Sequence, residues 1–296
     1  MKIKLLAIIA LATITKAYSQ TYGVWEGASD KPIWEINFKS KEKTFSTTVA
    51  TQSSLSSKEK NGFLPAPKSG IVKLTTAANG GGDFTLIDNS LKITSASGNF
   101  PAKFSAYEIK ETSPVVSLFF DISFDDTQAS NGLVILGIGN SSNPVFSNVN
   151  QLTGAEQKGI FAGLQFIVGP NTIDPRYRYL NEATSVYGYS SLIPQAISKS
   201  GKCAVEIYCN NSSKKLSYKR DGKTISIPAG TYNIFVNGKG LKSAGNYNIP
   251  TSGELPTNKA IDAFLINSSN NNAPTANSLG FTISNVKLGA LPIEKI

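Results

Sequence analysis

The chain has 296 residues, of which 40% are apolar, 29 are Lys or Arg, 20 are Asp or Glu, and none is His. This length and composition suit a globular protein with a large core and exclude a disordered chain. The absence of histidine excludes Ser-His and Cys-His catalytic pairs and every histidine metal site.

The first 19 residues predict a secretory signal peptide. Two lysines precede an apolar run over residues 5–14, and the small residues Ala17 and Ser19 fit a cleavage site before Gln20. The apolar run is too short for a permanent membrane span, and no later run is longer. We therefore expect a secreted or cell-surface protein with no membrane span.

Cleavage before Gln20 leaves 26 basic and 20 acidic residues, a net charge of +6. The basic residues are mostly lysines spread along the chain, with arginine only at positions 176, 178 and 220. A nucleic-acid-binding protein concentrates its basic residues on one stripe and uses arginine prominently. We expect a solvated basic surface, with weak attraction to acidic polysaccharide as the alternative, and no nucleic-acid partner.

Residues 20–62 are expected to form an N-terminal strand followed by a polar linker. Ile33–Phe38 has the composition of a strand, and residues 44–60 are rich in Ser, Thr and Lys. The main domain is expected over 63–290, and 291–296 follows its last strand as an exit linker. Thirteen further segments have strand patterns; they are 71–76, 84–87, 91–94, 133–138, 160–168, 176–180, 186–189, 203–209, 216–220, 224–227, 231–236, 261–266 and 281–288.

Val115–Phe124 shows the period-two alternation of a half-buried strand most clearly. Val116, Leu118 and Phe120 fall on one face, with Ser117 and Asp121 on the other. Asp-Gly at 221–222 and Asp-Asn at 88–89 are hairpin turn signals between such segments. With a single short helix over 192–198, the pattern predicts an all-β fold, a two-sheet antiparallel β-sandwich of the jelly-roll type.

An acidic loop follows the strand at 115–124. Asp125 and Asp126, with Asn131 nearby, supply the oxygen ligands that calcium prefers. The spacing is not that of an EF-hand, and paired acids after a strand are typical of solvated loops. Calcium is therefore a candidate cofactor at Asp125, Asp126 and Asn131, with a solvated loop as the alternative.

The strongest binding pattern is formed by two Tyr-rich segments. In Arg176-Tyr177-Arg178-Tyr179 the two tyrosines share one strand face and the two arginines share the other; Tyr187 and Tyr189 of the next segment also share a face. Tyrosine rings stack on sugar rings, and arginine binds hydroxyls or carboxylates. The set Tyr177, Tyr179, Tyr187, Tyr189, Arg176 and Arg178 is the candidate ligand site, and cross-strand packing of the tyrosines is the alternative.

Cys203 and Cys209 lie at the two ends of one predicted strand. Six residues of strand separate them by roughly 20 Å, which is beyond the reach of a disulfide. Both are expected to be small buried hydrophobes.

Two segments resemble parts of concanavalin A-like (laminin-G-like) jelly rolls. They are Gly230-Thr-Tyr-Asn-Ile-Phe-Val-Asn-Gly238, similar to a strand with its turn, and Phe281-Thr-Ile-Ser-Asn-Val-Lys-Leu288, similar to the last strand. The pair Leu291-Pro292 also resembles the linker of secreted bacterial proteins of the type IX system, whose sorting domain would follow. The resemblance implies a fold that commonly binds glycans or serves as a non-catalytic module.

The same fold hosts glycoside hydrolases, and the resembling hydrolase family uses Glu-x-Asp-x-x-Glu. That triplet is absent, since the nearest grouping is Glu108 and Glu111. We therefore expect no catalytic residues and a secreted, non-catalytic β-sandwich that binds a polysaccharide or cell-surface glycan or mediates adhesion. A structural spacer without a small ligand and a polysaccharide hydrolase or lyase are the alternatives.

Overall fold

The computed structural model describes residues 22–39, 43–46, 54–59, 63–76, 82–95, 102–126, 132–148, 152, 159–181, 183–252, 255–269 and 279–296. Two short 3-10 helices, Pro144–Phe146 and Ile293–Lys295, accompany the strands in these ranges. The strands are β1 (Val24–Trp25), β2 (Trp34–Ile36), β3 (Lys43–Ser46), β4 (Ser54–Ser56), β5 (Ile71–Thr76), β6 (Gly82–Ile87), β7 (Ser90–Ser95), β8 (Ala102–Tyr107), β9 (Val115–Phe124), β10 (Gly132–Gly139), β11 (Ile160–Val168), β12 (Thr172–Asn181), β13 (Val186–Ser191), β14 (Ile197–Ser198), β15 (Lys202–Asn210), β16 (Leu216–Arg220), β17 (Lys223–Ile227), β18 (Thr231–Val236), β19 (Lys239–Gly240), β20 (Ile249–Pro250), β21 (Ala263–Ser269) and β22 (Gly280–Ala290).

Two large antiparallel sheets form a sandwich in the described part of the chain. The nine-stranded sheet has the order β13-β12-β11-β10-β21-β8-β5-β4, with β14 beside β12. The ten-stranded sheet has the order β19-β18-β15-β9-β22-β7-β6-β3, with β2 beside β22 and β20 beside β18. The predicted all-β, two-sheet antiparallel sandwich of the jelly-roll type is confirmed.

The main core lies between the inner faces of these two sheets. Alternate side chains of each strand enter it, as Val134 and Leu136 of β10 do from the nine-stranded sheet. Cys203 and Cys209 enter it from β15, and both thiols are free and buried. The expectation that the cysteines are unpaired core residues is confirmed.

A third, small sheet covers part of the outer face of the ten-stranded sheet. It has the order β1-β16-β17, and its aromatic residues pack with Tyr208 of β15 in a second core cluster. The rings of Tyr208 and Tyr218 stack with centroids 3.9 Å apart. Beneath the small sheet, Arg220 of β16 donates to both carboxylate oxygens of Glu206. Burial of these groups fixes the hairpin β16–β17 against the sandwich.

Both predicted hairpin turns are present. Asp88 and Asn89 join β6 to β7, and Asp221 and Gly222 join β16 to β17. All four residues have positive φ, from 48° to 72°, as a type I′ turn requires. Asp, Asn and Gly tolerate the left-handed backbone conformation better than other residues, and for this reason both turns could be predicted from the sequence.

The N-terminal segment contributes strands to the sandwich: β2 lies in the predicted strand Ile33–Phe38, whereas β3 and β4 lie in the stretch expected as a polar linker. β2 pairs with β22, whereas β3 pairs with β6 and β4 pairs with β5. β3 and β4, which contain the Ser and Thr residues, lie at the ends of the two sheets. At the other end, Leu291 is buried in the second core cluster, so the segment after β22 packs onto the domain.

The expected short helix over 192–198 is wrong. Leu192 is buried, Ile193 forms an isolated bridge with Lys242, and β14 pairs with β12. Tertiary pairing therefore sets the local structure of this segment. Among the described residues no helix has the length and apolar character needed to cross a membrane.

Candidate functional site

The outer face of the nine-stranded sheet carries a lateral row of polar side chains. The register aligns Arg176 of β12 with Gln165 of β11, and Asn267 of β21 with Lys103 of β8. Ile135 of β10 lies between Gln165 and Asn267 in the same row. Because neighbouring strands are about 4.8 Å apart, the row extends roughly 19 Å from Arg176 to Lys103.

Arg178 is a buried cation beside this row. It is 1% exposed, and its guanidinium carbon lies 3.6 Å from the centroid of the Tyr187 ring. Gly163 lies beneath it on β11, where a Cβ atom would be 2.8 Å from the Cβ and Cδ atoms of Arg178. The missing side chain at Gly163 therefore provides the space in which Arg178 lies along the sheet.

Tyr189 lies directly opposite Arg178 in the register of β12 and β13. Its hydroxyl donates to the carbonyl of Leu152 at 3.3 Å. Burial raises the pKa of Tyr189 to about 12, while the charge of Arg178 acts to lower it. A half-buried phenol thus lies next to a buried guanidinium, and the phenol is protonated at neutral pH.

Gln165 and Asn267 add amide groups to the same face. Gln165 is 9% exposed. Asn267 is fully buried, and neither its Nδ2 nor its Oδ1 has a hydrogen-bond partner. An unpaired buried amide costs about 1–3 kcal/mol, so its retention points to a use for the group.

Two lysines on this face hold the segment that follows β10. Lys103 donates to the carbonyls of Val145 at 2.7 Å and Asn148 at 2.5 Å, and Lys73 donates to the carbonyl of Ser147 at 2.7 Å. Burial, together with the nearby charge of Lys73, lowers the pKa of Lys103 to about 7. The segment 143–148 is therefore anchored over one end of the polar row.

The structure divides the predicted tyrosine set between two faces of one sheet. Tyr187 and Tyr189 lie with Arg178 on the outer face, whereas Tyr177 packs against the main core. Tyr179 is 36% exposed, and its ring lies over Gly188, away from Arg178. The pleat of β12 separates neighbouring residues in this way, so the four tyrosines do not form one platform.

Arg176 lies on the outer face but binds a neighbouring carboxylate. Its Nε and Nη2 atoms are each 2.9 Å from Oδ2 of Asp174. Arg178, although two residues away, is buried and engages Tyr187. Of the two predicted arginines, Arg178 is therefore the one placed among the buried polar groups.

The predicted acidic loop is only partly described. Asp125 forms an ion pair with Lys92 at 3.1 Å, and Asp126 follows it; Asn131 lies outside the described residues. Within the described ranges no group of three or more His, Cys, Asp or Glu residues has the arrangement of a metal site. Calcium at Asp125, Asp126 and Asn131 stays a prediction.

Gln165, Asn267 and Lys103 were missed in the sequence. Each is a polar residue at an outward position of a mainly apolar strand, namely 160–168, 263–269 and 102–107. That interruption is a signal for a polar outer face. Only the strand register, however, places the three residues in one row.

Among known proteins, only solved structures show similarity to this chain. No known family matches the chain, and no curated protein is similar to it in sequence. A family 7 alginate lyase, A1-II′, has a TM-score of 0.43 and 9% identity, covering 69% of this chain and 82% of its own. The alginate lyase Aly36B has a TM-score of 0.42 and 13% identity, with the same coverages. A sialidase has a TM-score of 0.45 and 11% identity over 71% of this chain, which spans 16% of the sialidase.

These similar structures are enzymes that act on carbohydrates. They contradict the expectation of a non-catalytic sandwich that binds glycan or mediates adhesion, and that expectation is wrong. The sequence led to it because the hydrolase carboxylate triplet and histidine are both absent.

Proposed function

We propose that this protein cleaves uronate-containing polysaccharides by β-elimination at the outer face of the nine-stranded sheet. The observation that carries the proposal is the position of Arg178, whose guanidinium lies over the Tyr187 ring and which is paired with Tyr189 in the register, on the face that also carries Gln165. These groups supply a cation, an amide and a phenol in one place. They are the groups that elimination requires, and no histidine is needed.

In the elimination a base removes the proton at C5 of a uronate, next to the carboxylate. The electron pair forms the C4=C5 double bond, the C4–O4 bond breaks, and the departing oxygen takes a proton. Arg178 and Gln165 are assigned to the carboxylate, whose charge opposes proton loss until it is neutralised.

Tyr189 is the assigned proton carrier. Its phenolate would take the C5 proton and return it to O4, so that the reaction regenerates the starting state. The guanidinium of Arg178 stabilises the phenolate, but burial acts in the opposite direction and is the larger effect, so the pKa of Tyr189 is raised to about 12. Activity should therefore rise with pH on the alkaline side of neutrality.

A hydrolytic reaction fits this face less well. Glycoside hydrolysis uses two carboxylates about 5–9.5 Å apart, one of them free to donate a proton. Asp174, on β12 beside this face, is bound by Arg176. On the outer face of the other sheet, Glu206 is bound by Arg220 and Asp121 is bound by Lys202. Elimination is thus the reaction class that the described side chains support.

Substrate entry requires the Tyr189 hydroxyl to leave the carbonyl of Leu152. The bond is 3.3 Å long and so is readily exchanged for one to a ligand. Tyr187, which is half-buried, then offers its ring to a sugar while Arg178 beneath it turns toward the carboxylate.

The test is incubation of the purified protein with alginate, polygalacturonate, hyaluronan and a neutral glucan. Elimination is followed by the ultraviolet absorbance of the unsaturated uronate, and hydrolysis by new reducing ends without that absorbance. Tyr189→Phe should lower the rate about 10² to 10⁴-fold, and Arg178→Lys should also lower it because the planar fork is lost. Tyr179→Phe, on the opposite face of β12, is the matched control. A folded protein that releases no unsaturated product from any uronate polymer overturns the proposal.

Export of the chain is part of the same proposal. Uronate polysaccharides are too large to enter the cell intact, so the enzyme would act outside it. The segment Met1–Ser19, which lies outside the described residues, has the signal-peptide pattern. The mass of the secreted protein should correspond to a chain that begins at Gln20. A secreted form that retains residues 1–19 would contradict this.

A further inference from the structure

We propose a second ligand site, for a short acidic oligosaccharide, on the outer face of the ten-stranded sheet. It uses two adjacent cavities that share Lys287. The site lies on the other sheet from Arg178, and its argument does not depend on cleavage there.

The larger cavity has a volume of about 420 Å³, within the range of ligand pockets. Its walls come from the N-terminal segment and from β9 and β22 of the ten-stranded sheet. Tyr22 and Phe119 contact each other with ring centroids 4.4 Å apart. Their aromatic surface, with Gly289 opposite Ser117 at the floor, can pack against the apolar face of a sugar ring.

Two hydrogen-bond donors at this cavity have no acceptor among the described residues. Within that part of the chain the Tyr22 hydroxyl makes no hydrogen bond, and the Lys287 ammonium lies 5.6 Å from the Tyr22 ring without an ion pair to a carboxylate. Burial and the nearby carboxylates of Asp121 and Glu206 raise the pKa of Tyr22 to about 12, so its hydroxyl is protonated. Two donors without an acceptor fit a ligand carboxylate.

The smaller cavity, of about 270 Å³, continues beyond Lys287. Its lining is polar and includes the exposed residues Asn285, Asn37 and Lys39. Asn285 also donates to Asp121 at 2.5 Å, which fixes its amide. Amides and lysine at this end suit the hydroxyl and acid groups of a second sugar.

The charge of the two linings favours an acidic ligand over a neutral one. Lys31, Lys39 and Lys287 line the cavities together with two exposed acids, Asp30 and Glu35. Lys287, which lines both cavities, is half-buried, whereas Lys31 and Lys39 are exposed. Partial burial strengthens its attraction to an anion because solvent screens it less.

The test is calorimetric titration of the full chain carrying Tyr189→Phe, which removes the assigned proton carrier, with trigalacturonate and with maltotriose. Lys287→Met and Tyr22→Phe should each weaken trigalacturonate binding about 10- to 100-fold, as expected for loss of a charge-assisted hydrogen bond. Lys223→Met, an exposed lysine of the small sheet, removes the same charge elsewhere and should leave the affinity unchanged.

Unchanged binding in Lys287→Met overturns the inference, and so does equal affinity for maltotriose. Failure of the proposed elimination would appear separately, as absence of unsaturated product in the unsubstituted protein. Binding that depends on Lys287 in a protein without lyase activity would support this site alone.

Discussion

The guanidinium of Arg220 and the carboxylate of Glu206 form a two-point ion pair between the small sheet and the ten-stranded sheet. Nε and Nη2 of Arg220 lie 2.9 and 2.7 Å from the two carboxylate oxygens, and the Tyr208 hydroxyl donates to Glu206 at 2.7 Å. Glu206 is fully buried. Both carboxylate oxygens of Glu206 therefore accept hydrogen bonds from side chains of the protein.

Removal of Arg220 should be strongly destabilising. Arg220→Ala leaves the buried carboxylate of Glu206 without its cation, a change that typically costs about 3–5 kcal/mol. Denaturant unfolding of both proteins measures the difference. Lys219→Ala, at the exposed neighbouring position, is the control and should change stability by less than about 0.5 kcal/mol. An equal effect of the two substitutions would contradict a structural role for the pair.

Lys103 should make stability depend on pH. Its pKa is about 7 in the folded protein and 10.5 as the unperturbed value, so between these limits the unfolded chain binds more protons. The free energy of unfolding contributed by this group should therefore rise from pH 7 toward pH 10.5. Lys103→Met should remove that rise.

The measurement for Lys103 is denaturant unfolding of both proteins across this pH window. The difference between them isolates Lys103 from tyrosines that titrate in the same range. Lys92→Met, on a partly exposed lysine that pairs with Asp125, provides the control. Parallel pH profiles for wild type and Lys103→Met would show that Lys103 is not buried as described.

Gly163→Ala should disturb Arg178 and lower the proposed activity. The new Cβ atom would lie 2.8 Å from two side-chain carbons of Arg178, so the arginine must move. Overpacking of this kind costs about 1–3 kcal/mol. The rate of uronate elimination and the unfolding midpoint measure the two effects.

Gly188→Ala is the matched control for Gly163→Ala. Its Cβ atom would lie 3.1 Å from the ring of Tyr179, on the other face of the sheet. We expect a modest loss of stability with activity retained. Equal loss of activity in the two variants would indicate that Arg178 has no special role.

Cys203 and Cys209 should resist thiol reagents in the native protein. Both are buried, and burial raises the pKa of each thiol. Since the thiolate is the reactive form, labelling with a chromogenic disulfide should be slow until denaturant is added and should then reach two thiols per chain. Rapid labelling of the native protein would contradict the placement of β15 in the core.

The fold could be predicted because its signals are local. Alternation in 115–124 and the Asp-Gly turn at 221–222 depend on neighbouring residues alone, and both were correctly assigned. The strands in 43–46 and 54–56 were missed because their polar residues occupy the ends of the two sheets.

The site was only partly predictable because it depends on register between distant strands. The sequence separated Tyr177 and Tyr179 from Arg178 by face, but it did not indicate which face meets the core. Gln165 and Asn267 are brought into one row by β10, which lies between their strands. No local pattern encodes that alignment.

The pairing of β1 with β16 has a consequence for the order of folding. The backbone amide of Gly23 donates to the hydroxyl of Tyr208, 185 residues later in the chain, and Trp25 packs on Tyr218. The amino-terminal segment has no surface on which to dock until most of the polypeptide has emerged, so the first part to be made is among the last to become ordered. The indole of Trp25 is accordingly a natural reporter of the closing event in refolding.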